Sequence, residues 1–154
     1  MNIFKKLIKE YWILFVIIIF ASFLRFFKIG EVPPSLNWDE VSHGYNAYSI
    51  LKTGKDEWGF RLPLIFRAYG DYKLPIYIYL TSLSELIFGL NVFSVRLVSV
   101  LAGIGSVTTT YFLVRKIFNN KSVSLISALL VAIEPWSFFL SRAAFEANLS
   151  LFFA

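Results

Sequence analysis

Residues 92–114 of the sequence read VFSVRLVSVLAGIGSVTTTYFLV, and the basic pair Arg115 and Lys116 follows at once. A helix of this length can cross the apolar core of a bilayer, which is about 30 Å thick. Two further apolar blocks, at residues 11–29 and 123–140, also predict membrane spans. With 57% hydrophobic and 16% charged residues, the chain is too apolar for a soluble domain. The sequence therefore predicts an all-α integral membrane protein built as a multi-span helical bundle.

Basic residues predict how this bundle is oriented. Lys5, Lys6 and Lys9 precede the first span, and residues 115–121 form a basic turn between the second and third spans. Because positive charge near the ends of spans favours the cytoplasmic side, we expect the N-terminus and this turn in the cytoplasm. The chain is then a multi-pass protein of the cell membrane, and its two longer polar segments face the extracytoplasmic side.

The first of these segments, the first outer loop at residues 30–91, is predicted to hold two amphipathic surface helices. Asn37 is a suitable N-cap, and Glu40 follows three residues later as a capping-box partner, which predicts a helix over residues 38–53. A second, apolar helix over residues 75–89 would be only about 22 Å long, too short to cross. We expect both to lie along the membrane surface, with turns and short helices in the rest of the loop.

The second outer loop, residues 141–148, leads into an apolar run at residues 149–154. That run is too short to span, so the sequence is interpreted as one part of a longer chain. Arg142 and Glu146 stand four residues apart, and this spacing predicts that they share one helical face.

Polar residues within or beside apolar blocks must be paired or face a cavity. Arg96 and Glu85 are such residues, and a structural Arg–Glu contact is predicted for them. Glu134 and Pro135 predict a kink in the third span, with the freed carbonyl satisfied nearby. Arg25, at the far end of the first span, is expected to snorkel to the outer interface.

Several charged side chains on the predicted outer side could carry chemistry. Asp39 and Glu40 stand in the first turn of a helix, where the macrodipole favours ionised carboxylates that can accept a proton; alternatively, both only cap the helix. Glu146 is a second acid on the same side, or the partner of Arg142 in a local ion pair. Lys73 could hold a lipid phosphate at the start of the second surface helix, or it could snorkel at the interface.

Composition excludes several other classes of function. The absence of cysteine excludes disulfide scaffolds and thiolate zinc sites. The net charge of +5 is concentrated at the ends of apolar runs, so it indicates topology and no nucleic-acid partner. His43 is the single histidine and a poor metal site, expected to pack or hydrogen-bond beside Asp39. We predict no cofactor and no metal site, and a divalent metal is possible but not indicated.

The order of these features resembles the C-type membrane glycosyltransferases. It is most similar to the branch that contains the protein O-mannosyltransferases and the lipid A aminoarabinose transferases. The resemblance covers nearly the whole chain, and its specificity lies in the ordered set because each short motif is weak alone. In chain order, the motifs are Asn37-Trp38-Asp39-Glu40, Lys73-Leu74-Pro75, Phe88-Gly89, Arg96-Leu97, Ser141-Arg142 and Glu146.

The resemblance implies that residues 1–154 are the N-terminal part of one membrane glycosyltransferase domain. It matches Asp39 to the presumed catalytic base, Glu146 to an acid that also faces the site, and Lys73 to a contact of the carrier phosphate. The predicted site groups the side chains by role: the catalytic acids are Asp39, Glu40 and Glu146, and the substrate- or phosphate-binding residues are Lys73, Arg142 and His43.

The predicted function is transfer of a hexose or pentose from a polyprenyl-phosphate-linked donor to an acceptor glycan, lipid or protein on the outer face. The acceptor hydroxyl would attack the anomeric carbon, and Asp39 would take its proton. The alternative is a non-catalytic membrane module of a lipid-linked-sugar flippase or transporter, or an inactive fragment. A transporter should place ionisable groups at mid-membrane on broken helices, whereas here they gather at the outer interface, which favours the enzyme.

Overall fold

The computed structural model describes the backbone of residues 3–154 and the side chains of residues 9–154. The described chain is mostly helical, as predicted, and it contains one small hairpin. Its elements in chain order are α1 (Ile3–Phe26), α2 (Trp38–Thr53), β1 (Phe66–Ala68), β2 (Asp71–Lys73), α3 (Pro75–Phe88), α4 (Val92–Phe118), α5 (Lys121–Ile133), α6 (Pro135–Ser141) and α7 (Glu146–Phe153).

Helix α4 is the centre of the bundle and packs against α1, α3, α5, α6 and α7. One apolar cluster joins α1, α4 and α5 around Ile17, Val107 and Ala128. A second cluster joins α3, α4 and α7 around Tyr77 and Val98. The second cluster includes Tyr77 of the first outer loop and Ala144 of the second, and thus holds both outer loops against the central helix.

Among the described residues, α4 alone is a single helix long and apolar enough to cross a membrane by length and composition. Helices α5 and α6 pass the same test only as a pair, with a bend of 57° between them. The multi-span bundle, including the first span at residues 11–29, therefore stays a prediction.

The bend falls at Pro135, where a kink was predicted in the third span. Proline lacks the N–H that would bond back into α5, so carbonyl groups there lose their helical partners. The Arg25 guanidinium donates to the carbonyl oxygens of Ala132, at 3.0 Å, and of Val131, at 3.2 Å. The Glu134 carboxylate caps α6 by accepting from the backbone N–H groups of the next turn. Arg25 is fully buried, so the expectation that it snorkels to the interface was wrong.

Two basic segments lie at the same end of the bundle. The Lys121 ammonium, at the start of α5, donates to the Glu10 carbonyl oxygen in α1. The turn between α4 and α5 is therefore next to the beginning of α1, as the predicted topology requires. The side chains of Lys5 and Lys6 lie outside the described residues, and which end faces the cytoplasm stays a prediction.

Helix α2 covers residues 38–53, as the sequence predicts. Asn37 and Glu40 form a reciprocal capping box, and Gly54 ends the helix in the left-handed conformation, with φ at 69°. Glycine adopts this conformation without the steric cost that a side chain brings. Trp38 and Tyr45 on the outer side of α2 are exposed, while the contact of this face with a membrane stays a prediction.

Turns and short helices were expected between α2 and α3, but the structure has an antiparallel hairpin of β1 and β2. The two loop residues, Tyr69 and Gly70, both have positive φ, which is typical of the tight two-residue loops that join the strands of a hairpin. The all-α prediction missed this element because each strand has only three residues and Tyr-Gly is a weaker turn signal than Asn-Gly.

Candidate active site

The two outer loops meet at the end of the bundle opposite the basic turn. The Ala144 backbone N–H, in the second outer loop, donates to the Glu40 carboxylate at 3.1 Å. The Leu74 backbone N–H donates to the Glu146 carboxylate at 3.0 Å. The sequence could place these segments on one side only, and the structure brings them into direct contact.

Three charged side chains form a surface cluster at the start of α2 and the end of the hairpin, and we call Asp39, Asp71 and Lys73 the lysine cluster. The Lys73 ammonium lies 2.7 Å from Asp39 Oδ1 and 2.9 Å from Asp71 Oδ2. The Lys73 side chain is 12% exposed, whereas that of Asp39 is 40% exposed. One largely enclosed cation therefore serves two acids that solvent can reach.

The electrostatics of the lysine cluster follow from these contacts. Burial alone would lower the pKa of Lys73, but hydrogen bonds to Asp39 and Asp71 outweigh it and raise that pKa. The hydrogen bond from Lys73, and then that from the Tyr72 backbone N–H, lower the pKa of Asp71. Lys73 is therefore a cation at neutral pH, as a residue that binds phosphate must be.

Glu40, the neighbour of Asp39, points into the protein and is 1% exposed. Its Oε1 lies 2.7 Å from Arg96 Nε, and its Oε2 accepts from Arg96 Nη2 at 3.2 Å. Arg96 also donates to the carbonyl oxygens of Ile29, Pro33 and Ser35. We call Glu40 and Arg96 the buried pair. The pair fixes the entry into the first outer loop, and its acid has no open approach for a substrate.

Two sequence predictions are corrected by the buried pair. Arg96 was expected to contact Glu85, but its partner is Glu40. Glu40 was grouped with the catalytic acids, yet its oxygens are occupied by Arg96 and by the backbone N–H groups of Asn37 and Ala144. Both corrections depend on a contact between residues far apart in the chain, which spacing along the sequence does not reveal.

Glu85 is buried on the inner side of α3 without a cation. It is 3% exposed, and neither carboxylate oxygen finds a hydrogen-bond partner among the described residues. Burial raises the pKa of Glu85 to about 7. Thr81 and Ser84 share this buried polar face of the helix.

His43 connects the two outer loops. Its Nδ1 lies 3.0 Å from the Ala144 carbonyl oxygen, and its Nε2 lies 3.0 Å from Glu146 Oε1. The ring also packs on Tyr77, with 4.8 Å between ring centroids. Because His43 is 1% exposed and both nitrogens have partners, it positions Glu146 and does not itself face an open surface.

Arg142 was predicted to bind phosphate and to share a helical face with Glu146. It ends α6, while Glu146 begins α7, so the two residues do not lie on one helix. The Arg142 guanidinium donates to the carbonyl oxygens of Leu24, Arg25 and Val32, and it is 5% exposed. The predicted shared helical face is therefore wrong. The phosphate role of Arg142 stays a prediction, and in this structure its guanidinium satisfies the carbonyl groups where α1 ends.

The residues that could meet a substrate are thus fewer than the sequence suggested. Asp39 is accessible and pairs with the largely enclosed Lys73. The Glu146 side chain, 20% exposed, accepts from the backbone N–H of Leu74, the residue after Lys73. Among the described residues, no group of three or more acidic or histidine side chains could hold a metal ion. Asp71 is the member of the site that the sequence reading missed, and an acid two residues before a strand lysine could have indicated it.

Comparison with known proteins bears on this geometry. The model of the dolichyl-phosphate-mannose-protein mannosyltransferase family matches residues 73–154, more than half of the chain. The chain belongs to this family. The match begins at Lys73 and includes Arg142 and Glu146, so Asp39 lies before the matched region. Family membership supports a membrane location and the resemblance to membrane glycosyltransferases.

A protein of Aquifex aeolicus (strain VF5), described as uncharacterized, is 33% identical over 130 residues. The alignment covers 84% of this chain and 30% of that protein, so the chain spans about a third of the relative's length. No solved structure matches the chain.

Proposed function

We propose that the protein transfers a sugar from a polyprenyl-phosphate-linked donor to an acceptor hydroxyl at the outer face of the cell membrane. The observation that carries this proposal is the contact of 2.7 Å between a half-exposed carboxylate, Asp39, and a largely enclosed ammonium, Lys73. A base and a phosphate-binding cation stand side by side at the point where both outer loops converge. Membership of the dolichyl-phosphate-mannose-protein mannosyltransferase family supports mannose as the sugar.

The reaction is a single displacement at the anomeric carbon. The acceptor oxygen forms a bond to that carbon while the bond from the carbon to the phosphate oxygen breaks. Asp39 accepts the proton of the acceptor hydroxyl, and the leaving polyprenyl phosphate keeps the electron pair against the charge of Lys73. No cofactor is required, because the phosphate is already a good leaving group.

The lysine cluster suggests how binding of the donor releases Asp39 from its ion pair. A donor phosphate that binds Lys73 competes with Asp39 and Asp71 for the same three N–H donors. Asp39 would then give up part of its contact with the ammonium when the donor is present.

Glu146 is proposed as a positioning residue. Its carboxylate accepts from the Leu74 backbone N–H and contacts the buried His43, and thus links the lysine-bearing segment to the second outer loop. Fixing the Leu74 backbone holds the preceding Lys73 at the end of β2. Loss of Glu146 should therefore weaken donor binding through the placement of Lys73.

The proposed topology follows from the ends of the bundle. The beginning of α1 and the basic turn lie together, and the lysine cluster lies at the opposite end. With the basic end in the cytoplasm, the site faces outward and reaches donors and acceptors of the outer leaflet. The protein is then a multi-pass membrane protein with a cytoplasmic N-terminus.

A flippase or transporter module is the second candidate, and the break between α5 and α6 favours it, because transporters bind substrates at broken spans. The buried Arg25 lies at this break. Its Nη atoms already donate to carbonyl groups and to Ser137, so few of its N–H groups remain for an anionic substrate. The transferase is therefore favoured.

Binding of a radiolabelled polyprenyl-phosphate-mannose to membranes that carry the protein tests the proposal. Lys73→Met should weaken binding about tenfold or more, because it removes one charge-assisted contact to phosphate. Lys73→Arg should keep most of the affinity, and Asp71→Asn should leave binding at least as tight. Unchanged binding by Lys73→Met in a folded protein would contradict the phosphate role.

A further inference from the structure

The segment between α2 and β1 exposes an apolar surface that also bears positive charge. Phe60, Leu62, Leu64 and Ile65 are all exposed, and Leu64 is 79% exposed. Contiguous exposed apolar side chains mark interaction sites on proteins that are otherwise stable. Arg61 stands among them, and together with Arg67 in β1 these side chains define the surface that we call the arginine patch.

The arginine patch has a fixed shape. The Asp56 carboxylate accepts from the backbone N–H groups of Trp58 and Phe60, at 3.0 and 2.8 Å. The Trp58 indole N–H donates to the Arg67 carbonyl oxygen, and the Arg67 guanidinium lies 4.9 Å from the centre of the Trp58 ring. A cavity of about 540 Å³ opens between Arg61, Arg67 and their aromatic neighbours. The apolar side chains are therefore held outward by a folded segment.

Charge favours an anionic occupant. Arg61 and Arg67 are exposed, while Asp56, the acid that lines the same cavity, is 4% exposed. The Asp56 carboxylate is directed at backbone N–H groups and is not presented outward. Guanidinium groups bind phosphate oxygens in a bidentate manner. Tryptophan and arginine flanked by aliphatic side chains are typical of protein surfaces at the bilayer interface.

The patch continues the exposed apolar side of α3. The Tyr79 hydroxyl donates to the Pro63 carbonyl oxygen at 2.9 Å, which places residues 61–65 against this helix. Tyr79 stands at the edge of the helical face that exposes Leu83 and Leu86. Two exposed apolar surfaces are therefore joined into one by this contact, and a flat bilayer can cover both.

We propose that the arginine patch docks on the membrane itself, with Leu64 and Ile65 among the acyl chains and with Arg61 and Arg67 on the phosphates of anionic lipids. The β1–β2 hairpin gives this docking a consequence. Successive side chains of a strand point to opposite faces, so Arg67 and its cross-strand partner Tyr72 face away from Lys73. An Arg67 side chain held at the lipid phosphates would fix the height of the hairpin, and with it the height of Lys73.

The docking is independent of the proposed chemistry, so it is tested without a transferase assay. The chain has no cysteine, so Leu64→Cys introduces a single site for a nitroxide label. The protein is placed in nanodiscs of phosphatidylcholine, with or without phosphatidylglycerol, and collisions of the label with oxygen and with a water-soluble nickel chelate are compared. Ser122→Cys, exposed in the first turn of α5, supplies a reference at the other end of the bundle.

We define the collision ratio as the collision rate of the label with oxygen divided by its collision rate with the nickel chelate. This ratio should be severalfold higher for the label at Leu64 than for the label at Ser122. Phosphatidylglycerol should increase this ratio, and the double variant Arg61→Gln/Arg67→Gln should abolish the increase. Arg115→Gln removes a positive charge at the opposite end of the bundle, and this control variant should keep the increase. A label open to nickel in both lipids would overturn the proposal, and so would one shielded from both collision partners, which indicates a protein partner. Equal ratios in all lipids and variants would overturn the role of the arginines.

Discussion

Asp39 and Glu40 are neighbours in the first turn of α2, yet they lie in opposite environments. Asp39 is half-exposed and pairs with Lys73, which it shares with Asp71. Glu40 is enclosed, and its partner Arg96 is fully buried. The comparison between the lysine cluster and the buried pair shows that helix position alone does not assign a role to a carboxylate.

The two ion pairs also differ in what their loss costs. An exposed pair contributes about 0–1 kcal/mol, because solvent replaces the lost partner. Removal of one member of a buried pair leaves an uncompensated charge and costs about 3–5 kcal/mol. The lysine cluster can therefore exchange partners when a ligand binds, whereas the buried pair keeps the first outer loop in place.

The largest expected effect is the loss of stability in Glu40→Ala. This variant leaves Arg96 buried without its counter-charge, and the free energy of unfolding should fall by about 3–5 kcal/mol. Thermal or denaturant unfolding of the protein in detergent measures this change. The double variant Glu40→Met/Arg96→Met should recover a large part of the loss, since it removes both charges. A loss below about 1 kcal/mol in the single variant would erase the distinction between the two pairs.

Glu85 differs from both pairs, because it is a buried carboxylate without the cation that Glu40 has. Burial raises its pKa to about 7, so the folded protein holds this proton after the unfolded chain has lost it. Stability from this group is complete below about pH 4.5 and falls as the pH rises to about 7. Glu85→Gln should therefore be more stable than the natural protein at pH 8, by on the order of 2 kcal/mol.

The control is the same comparison of Glu85→Gln with the natural protein at about pH 4.5. At this pH, residue 85 should contribute nearly equally to the free energy of unfolding of the two proteins. Unfolding curves at both pH values measure the difference. An advantage of Glu85→Gln that is the same at both pH values would show that titration of Glu85 is not its cause.

A smaller loss of stability is expected from a substitution at Gly103, where α4 packs tightly against Ser141 and Arg25. A Cβ on Gly103 would lie 2.5 Å from Ser141 Cβ and 2.9 Å from Arg25 Nε. Gly103→Ala should therefore destabilise the protein by about 1–3 kcal/mol through overpacking. Gly30→Ala is the matched control, because a Cβ there has no neighbour within 4 Å among the described residues. Equal unfolding midpoints for the two variants would indicate that α4 and α6 separate easily.

Parts of this structure could be predicted from the sequence because their signals are local. Asn37 and Glu40 predicted the start of α2, and the apolar block predicted the helix over residues 75–89 that is observed as α3, Pro75–Phe88. Pro135 predicted a break whose freed carbonyl groups find a donor. Each of these predictions depends on residues close together in the chain, where residue type and spacing carry the information.

The roles of the arginines could not be predicted in this way. Arg25 and Arg142 stand near the ends of apolar blocks, which is typical of side chains that snorkel to an interface. Both are instead buried against carbonyl groups more than a hundred residues away along the chain. Likewise, the division of labour between Asp39 and Glu40 depends on Arg96, which lies 56 residues from Glu40. These contacts are set by the packing of the helices on α4.

Asp39 is proposed as the base and Glu40 as a structural residue. The direct test is the rate of sugar transfer from a polyprenyl-phosphate-linked donor by Asp39→Asn, with Glu40→Gln as the neighbouring comparison. Asp39→Asn should change the free energy of unfolding by less than about 1 kcal/mol, because the side chain keeps its shape, solvent reaches it, and Lys73 keeps its contact with Asp71. Its transfer rate should fall about a hundredfold or more, as is usual when a general base is lost. A normal transfer rate in Asp39→Asn would rule out Asp39 as the base and leave it as a helix-capping residue.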